Sequence, residues 1–227
     1  YAEAIKEYQE AVKIAPNMSF LYVRIGQNYR EGIKNAELAL EYFDRAARIN
    51  EQLGVQNALP FIEIAKTYTH EGQFFAAAVN AEKALSLDNR NATTYGQLGQ
   101  IFIRARNYEG AVPLLQCAVE GCTAVENLEW NQQEVAVEPV PLSNLTVAYY
   151  YVEYGTVLAF LSKPADNHCP KALEVLGQVR ERFPDDEILM SIADDSTGIC
   201  NRLAAEMAGR PWPTSTPSPT GTPTPSP

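Results

Sequence analysis

Histidine is scarce in this chain. His70 and His168 are the only two, and neither sits in a His-x-x-x-His or Cys-x-x-Cys spacing that would fix a metal. His70 lies in "THEGQF", the end of a helix and its turn, where an exposed cationic residue favours the negative end of the helix dipole. His168 stands beside Cys169 and near Asp166 without a supporting ligand pattern. Glycine-rich phosphate loops and the Gly-x-Ser-x-Gly elbow are missing as well. These absences leave no visible catalytic machinery, and the expectation is a chain that is not an enzyme and holds no metal and no cofactor. Positive charge is also in short supply. Eighteen Lys and Arg face twenty-eight Asp and Glu for a net charge of −10. The phosphate neutralisation that nucleic-acid binding needs is absent, which excludes nucleic acid and anionic membrane surfaces as partners. No apolar run reaches the ~18 residues of a membrane span. No charged-then-apolar export signal opens the chain, although a leader would lie upstream of Tyr1 if one exists.

Apolar residues are plentiful and periodic. They form 46% of the 227 positions, enough for a sizeable core or one elongated domain. Ala4, Ile5, Tyr8, Ala11, Val12 and Ile14 fall on one helical stripe that Pro16 ends. A small residue one turn before a large one then recurs: Gly26 and Tyr29, Ala65 and Tyr68, Gly99 and Phe102, Gly155 and Leu158. Second helices alternate with these and carry Ala39/Phe43/Ala46, Ala77/Ala81/Ala84, Ala111/Leu115/Ala118 and Ala172/Leu176/Val179. From Ala65 to Gly99, and from Ala77 to Ala111, the step is 34 residues, the period of a helix–turn–helix repeat.

With these residues, and with Pro16 and Pro184 closing their helices, the chain resembles the tetratricopeptide repeat (TPR) family over residues 1–209. The resemblance implies an all-α, right-handed solenoid of helix–turn–helix repeats with a closing helix and an extended Pro/Ser/Thr tail. The units expected are a half repeat over 1–17, pairs over 18–50, 57–88, 91–121 and 144–184, a closing helix over 186–208, and the tail over 210–227. The steps from Gly26 to Ala65 and from Gly99 to Gly155 exceed the period, so loops are inserted there. The larger insert, 121–144, holds four glutamates and no Lys or Arg, and reads as an ordered loop packed by Trp130 and its Val-rich stretch. The family's concave face, lined by first helices, binds extended peptides, and here it falls on Gln27, Arg30, Lys66, Thr69, Gln100 and Ile103. Only Lys66 resembles the family's clamp for a chaperone's C-terminal carboxylate, since Gln27 and Gln100 hold the equivalent rungs.

In a two-helix solenoid, Cys169 at the start of a second helix lies next to Cys200 of the closing helix, and Cys117 is five residues from Cys122. Two disulfides would use all four thiols and place the protein in an oxidising compartment. Buried free thiols in a cytoplasmic protein are the other reading. Asn17, Asn91 and Asn144 open glycosylation sequons in turns before first helices, where capping of backbone N–H groups is the better single explanation for each. In the uncharged tail, Thr214, Ser215, Thr216, Ser218, Thr220, Thr222, Thr224 and Ser226 are candidates for O-linked sugar. The opening helix lacks its partner, which leaves Tyr1, Ile5, Tyr8 and Val12 as a face for another protein if Tyr1 is a true start. These features lead to two expectations. The first is an exported, glycosylated subunit that self-assembles head-to-tail with identical subunits into a cell-surface or extracellular fibre. The second is a monomeric adaptor that binds peptides in the concave groove.

Overall fold

The computed structural model describes residues 1–128 and 131–209, with side chains left out over 125–133. Trp130 and every tail residue proposed for glycosylation lie outside the described residues. Ten α-helices are present among those described. Helix α1 (Ala2–Ile14) comes first, followed by four antiparallel pairs. These are α2 (Ser19–Asn28) with α3 (Ala36–Gln52), α4 (Leu59–His70) with α5 (Phe74–Leu87), α6 (Ala92–Arg104) with α7 (Tyr108–Glu120), and α8 (Leu145–Leu161) with α9 (Cys169–Arg182). Helix α10 (Glu187–Met207) closes the stack against α8 and α9. A π-helical turn, Tyr29–Ile33, extends α2. Asparagine or aspartate side chains begin several helices by accepting a free N–H: Asn35 from Leu38 at 2.9 Å, Asn107 from Gly110 at 3.0 Å, and Asp186 from Leu189 at 2.9 Å.

Three of the four pairs are held together by a small residue under a large one. A Cβ at Gly26 would stand 2.5 Å from the Phe43 ring, at Gly99 2.6 Å from Leu115 Cγ, and at Gly155 2.7 Å from Leu176 Cγ. Phe43, Leu115 and Leu176 are fully buried there. In the second pair the small residue is Ala65 and the residue across from it shrinks to Ala81, which leaves room for the extra methyl. Helix α8 is buried on nearly every side between α7, α9 and α10, in keeping with its almost unbroken apolar sequence.

Where a packed loop was expected over 121–144, the chain forms an antiparallel hairpin, β1 (Cys122–Leu128) and β2 (Asn131–Val137), with Cys122 opposite Val137. Alternation decides this: Ala124 and Val137 face Ala92 and Cys117, while Thr123 and Ala136 point outward. The hairpin's base is fixed by Val140 N–H donating to Ala118 O at 2.9 Å and Tyr151 Oη donating to Val140 O at 2.9 Å. The cysteines pair there too. Cys117 joins Cys122 with a Cα separation of 4.8 Å, and Cys169 joins Cys200 at 5.4 Å.

The opening helix departs from expectation. Ile5, placed on an exposed assembly face, is turned inward at 6% exposure, and Val12 packs on the core of the first pair. The two sit seven residues apart on one stripe, and that stripe lies on α2. Tyr8 is half-buried, and the Tyr1 ring lies over Gly32, where any Cβ would overlap it. The four residues therefore do not form one continuous exposed patch.

Gly155→Ala is expected to lower stability by about 1–3 kcal/mol through overpacking against Leu176. Gly177→Ala, in α9 with nothing within 4 Å of its Cβ, is expected to raise it by roughly 0.5–1 kcal/mol. Urea unfolding of the two variants checks both signs. Closing loops of 31 and 5 residues, the two disulfides are expected to contribute about 4 and about 2 kcal/mol respectively in the chain-entropy estimate, measured by Cys→Ser pairs.

Candidate functional site: the inner face of the first helices

Helices α2, α4, α6 and α8 lie side by side and bring equivalent positions of successive repeats onto common rungs. Two residues before each small contact residue stand Arg24, Glu63, Gln97 and Glu153; one residue after it stand Gln27, Lys66, Gln100 and Thr156. These side chains line the inner face, except Thr156, whose hydroxyl meets Ser196 of α10 at 2.9 Å.

Between α2 and α4 the face is closed by an ion-pair network. The π-helical turn carries Arg30, whose guanidinium pairs with the Glu63 carboxylate and donates to Glu63 O at 3.0 Å and Thr67 Oγ1 at 3.2 Å. It also reaches Glu31 at 2.9 Å and lies over the Phe43 ring, 5.5 Å from its centroid. Lys66 Nζ approaches the other Glu63 oxygen at 3.3 Å. Glu63 is 3% exposed and the Arg30 side chain 10%. Burial alone would raise the Glu63 pKa, but Lys66 and Arg30 outweigh it and hold the carboxyl below its ordinary range.

This network changes the role of several residues expected to grip a peptide. Arg30 is spent inside the protein. Thr69 is buried, its hydroxyl bonded to Ala65 O at 2.8 Å, and cannot line a groove. Ile103 packs against the core that surrounds α8. Gln27, Lys66 and Gln100 remain half-buried on the face: Gln27 accepts from Arg24 at 3.0 Å, and Gln100 bonds Glu153. Glu63, Gln97 and Glu153 were missed by sequence reasoning. Their signal was available, since each precedes a small contact residue by two positions.

The histidines take other roles. His70 ends α4 as an exposed residue, but burial, then Arg104 and Arg30, push its pKa down, so the imidazole favours its neutral form rather than the cation expected at a helix end. His168 lies 3.2 Å from Asp166, and the neighbouring Cys169 is taken by Cys200. Among the sequon asparagines, Asn91 and Asn144 cap helices by accepting from Thr93 and Val147 at 3.0 and 3.1 Å. Asn17 does not, because Met18 takes the cap position of α2 with no side-chain bond. All three are exposed. A cleft of about 560 Å³ opens between α3, α4, α5 and the turn at 54–57, with Asn50 and Phe61 among its lining residues.

Glu63→Gln is expected to cost about 3–5 kcal/mol by stranding the buried Arg30 charge, and Arg30→Met/Glu63→Leu to recover most of it. Because folding lowers the Glu63 pKa, the stability it contributes is complete above the ordinary carboxyl value and is lost as pH falls through the lowered one. Denaturant midpoints between pH 3 and 7 should therefore fall less steeply with acid in the double variant than in the parent.

No family model matches the sequence, and no curated protein matches it. Solved structures do resemble the fold, YrrB and Cut9–Hcn1 among them. YrrB, described as a TPR protein with an unusual peptide-binding site, is 19% identical, with 89% of each chain covered and a TM-score of 0.54. The APC/C hetero-tetramer Cut9–Hcn1 matches with a TM-score of 0.54 at 13% identity, over 92% of this chain and 39% of that one. Taken with the paired helices and their small-under-large contacts, these likenesses make the chain a tetratricopeptide-repeat-like solenoid.

Proposed function

We propose that the chain is a non-enzymatic protein-interaction scaffold whose inner face receives an extended peptide segment. The observation that carries this reading is the rung of half-buried Gln27, Lys66 and Gln100, donor-bearing side chains repeated along one face of stacked helices. Side chains on such a ladder match the carbonyls of an extended chain, and the stacked helices hold them without further ordering cost. The peptide-binding site in the description of YrrB supports the same reading. Peptides selected by the full chain from a random dodecamer library test it. Lys66→Ala and Gln100→Ala are each expected to weaken a selected peptide about tenfold, the worth of one hydrogen bond, in a fluorescence anisotropy titration. Equal affinity for the parent and both variants would remove the groove from consideration.

The exported, self-assembling subunit is the second reading. It draws on the two cysteine pairings, which fit an oxidising compartment. Head-to-tail contact with identical subunits and glycans on Asn17, Asn91, Asn144 or the tail hydroxyls belong to this proposal. Native intact mass is expected to show four oxidised cysteines and added sugar, and sedimentation at high concentration to show growing oligomers. A reduced, unmodified and strictly monomeric chain would leave the adaptor alone standing.

A further inference from the structure

One feature of the inner face is built twice and completed once. Between α2 and α4, Arg30 lies four residues after the small residue Gly26 and reaches Glu63, two residues before the small residue Ala65. Between α6 and α8 the corresponding positions are Ile103, four residues after Gly99, and Glu153, two before Gly155. The acid is retained, and the position of the arginine is taken by an isoleucine.

The consequences are visible in the hydrogen bonding. Glu63 has its charge balanced by Arg30 and Lys66. Glu153 bonds Gln100, but its Oε2 is buried with no partner, and so is the amide oxygen Oε1 of Gln97 on the facing helix, whose amide otherwise bonds the Tyr150 hydroxyl. The charge that Glu153 senses is Arg104, whose field together with the Gln100 bond only partly offsets burial, so its carboxyl is raised where that of Glu63 is lowered. Two partnerless acceptors, presented from α6 and α8, require donors. A guanidinium supplies five N–H groups in a fixed fork and can serve both, as Arg30 serves four acceptors two crevices away. The chain's net charge of −10 draws a cationic partner in the same direction.

We propose that the α6–α8 crevice is a seat for an arginine side chain of the bound peptide, whose guanidinium donates to the Glu153 carboxylate and the Gln97 amide oxygen in the place that Arg30 fills between α2 and α4. The assignment rests on the groove reading above and names its ligand class: an extended segment carrying arginine.

The test uses dodecamers selected by the full chain from a random library, followed by titration of synthetic peptides. Arginine is expected at one fixed position of the selected peptides, and its replacement by uncharged citrulline is expected to weaken binding on the order of 30-fold. Glu153→Gln should erase that discrimination while retaining the citrulline peptide's affinity. Ile103→Arg should fill the seat from within and reduce the arginine peptide to the citrulline level, with circular dichroism and a melting curve confirming the fold. Carbon-13 NMR of the Glu153 carboxyl should show a titration above the ordinary glutamate range in the unbound protein and below it in the complex. Selected peptides that bind without arginine preference, prefer lysine equally, or keep their preference in Glu153→Gln would overturn the arginine seat and leave the groove reading intact. A library that yields no binding peptide would overturn both.

Discussion

The close approach of paired helices is the contact on which the rest of the structure depends. A backbone without a side chain at Gly26, Gly99 or Gly155 admits Phe43, Leu115 or Leu176 against the neighbouring helix, and each bulky residue becomes a fully buried knob. Repeating this contact sets the orientation of each pair. The orientation aligns α2, α4, α6 and α8, and the alignment turns scattered polar residues into rungs. Nothing on the inner face has a fixed position until that approach is made.

Once the rungs exist, their chemistry is set by which residues meet across a crevice. Arg30 and Glu63 are 33 positions apart, close to one repeat period, and they meet because neighbouring first helices run side by side. A buried pair of this kind adds little net stability, since desolvating both ions offsets much of their attraction. Its effect is on register: any slip between α2 and α4 would strand two charges. The α6–α8 crevice carries half of the same arrangement, with the acid Glu153 in place and Ile103 where Arg30 stands between α2 and α4.

The sequence made the repeat legible because its signal is local and periodic. Ala and Gly at fixed offsets, asparagine before helix starts and 34-residue steps all concern one helix or its immediate neighbour. The candidate site was less legible. Arg30 was expected to face a ligand, yet it turned to Glu63, because a composition pattern gives a side chain's rung and not its partner. Ile5 and Val12 showed a correct apolar stripe whose direction depended on how α1 settled on α2. The hairpin was hidden by Pro139, Pro141 and the glutamates, which read as loop; its pairing needs two seven-residue strands to find each other, a contact that no helical period announces.

The hairpin leaves and rejoins the solenoid at almost the same point. Gly121 follows the last turn of α7 with φ of +81°, Val140 returns to bond Ala118, and the bond from Cys117 to Cys122 ties the outgoing strand to the helix it has left. An excursion sealed at its neck is insulated from the repeats on either side, because the cost of lengthening a sealed loop grows only with the logarithm of its size. Evolution can therefore rewrite or enlarge this arm without disturbing the helices that flank it, which makes it the natural position for grafting a foreign segment onto the rod.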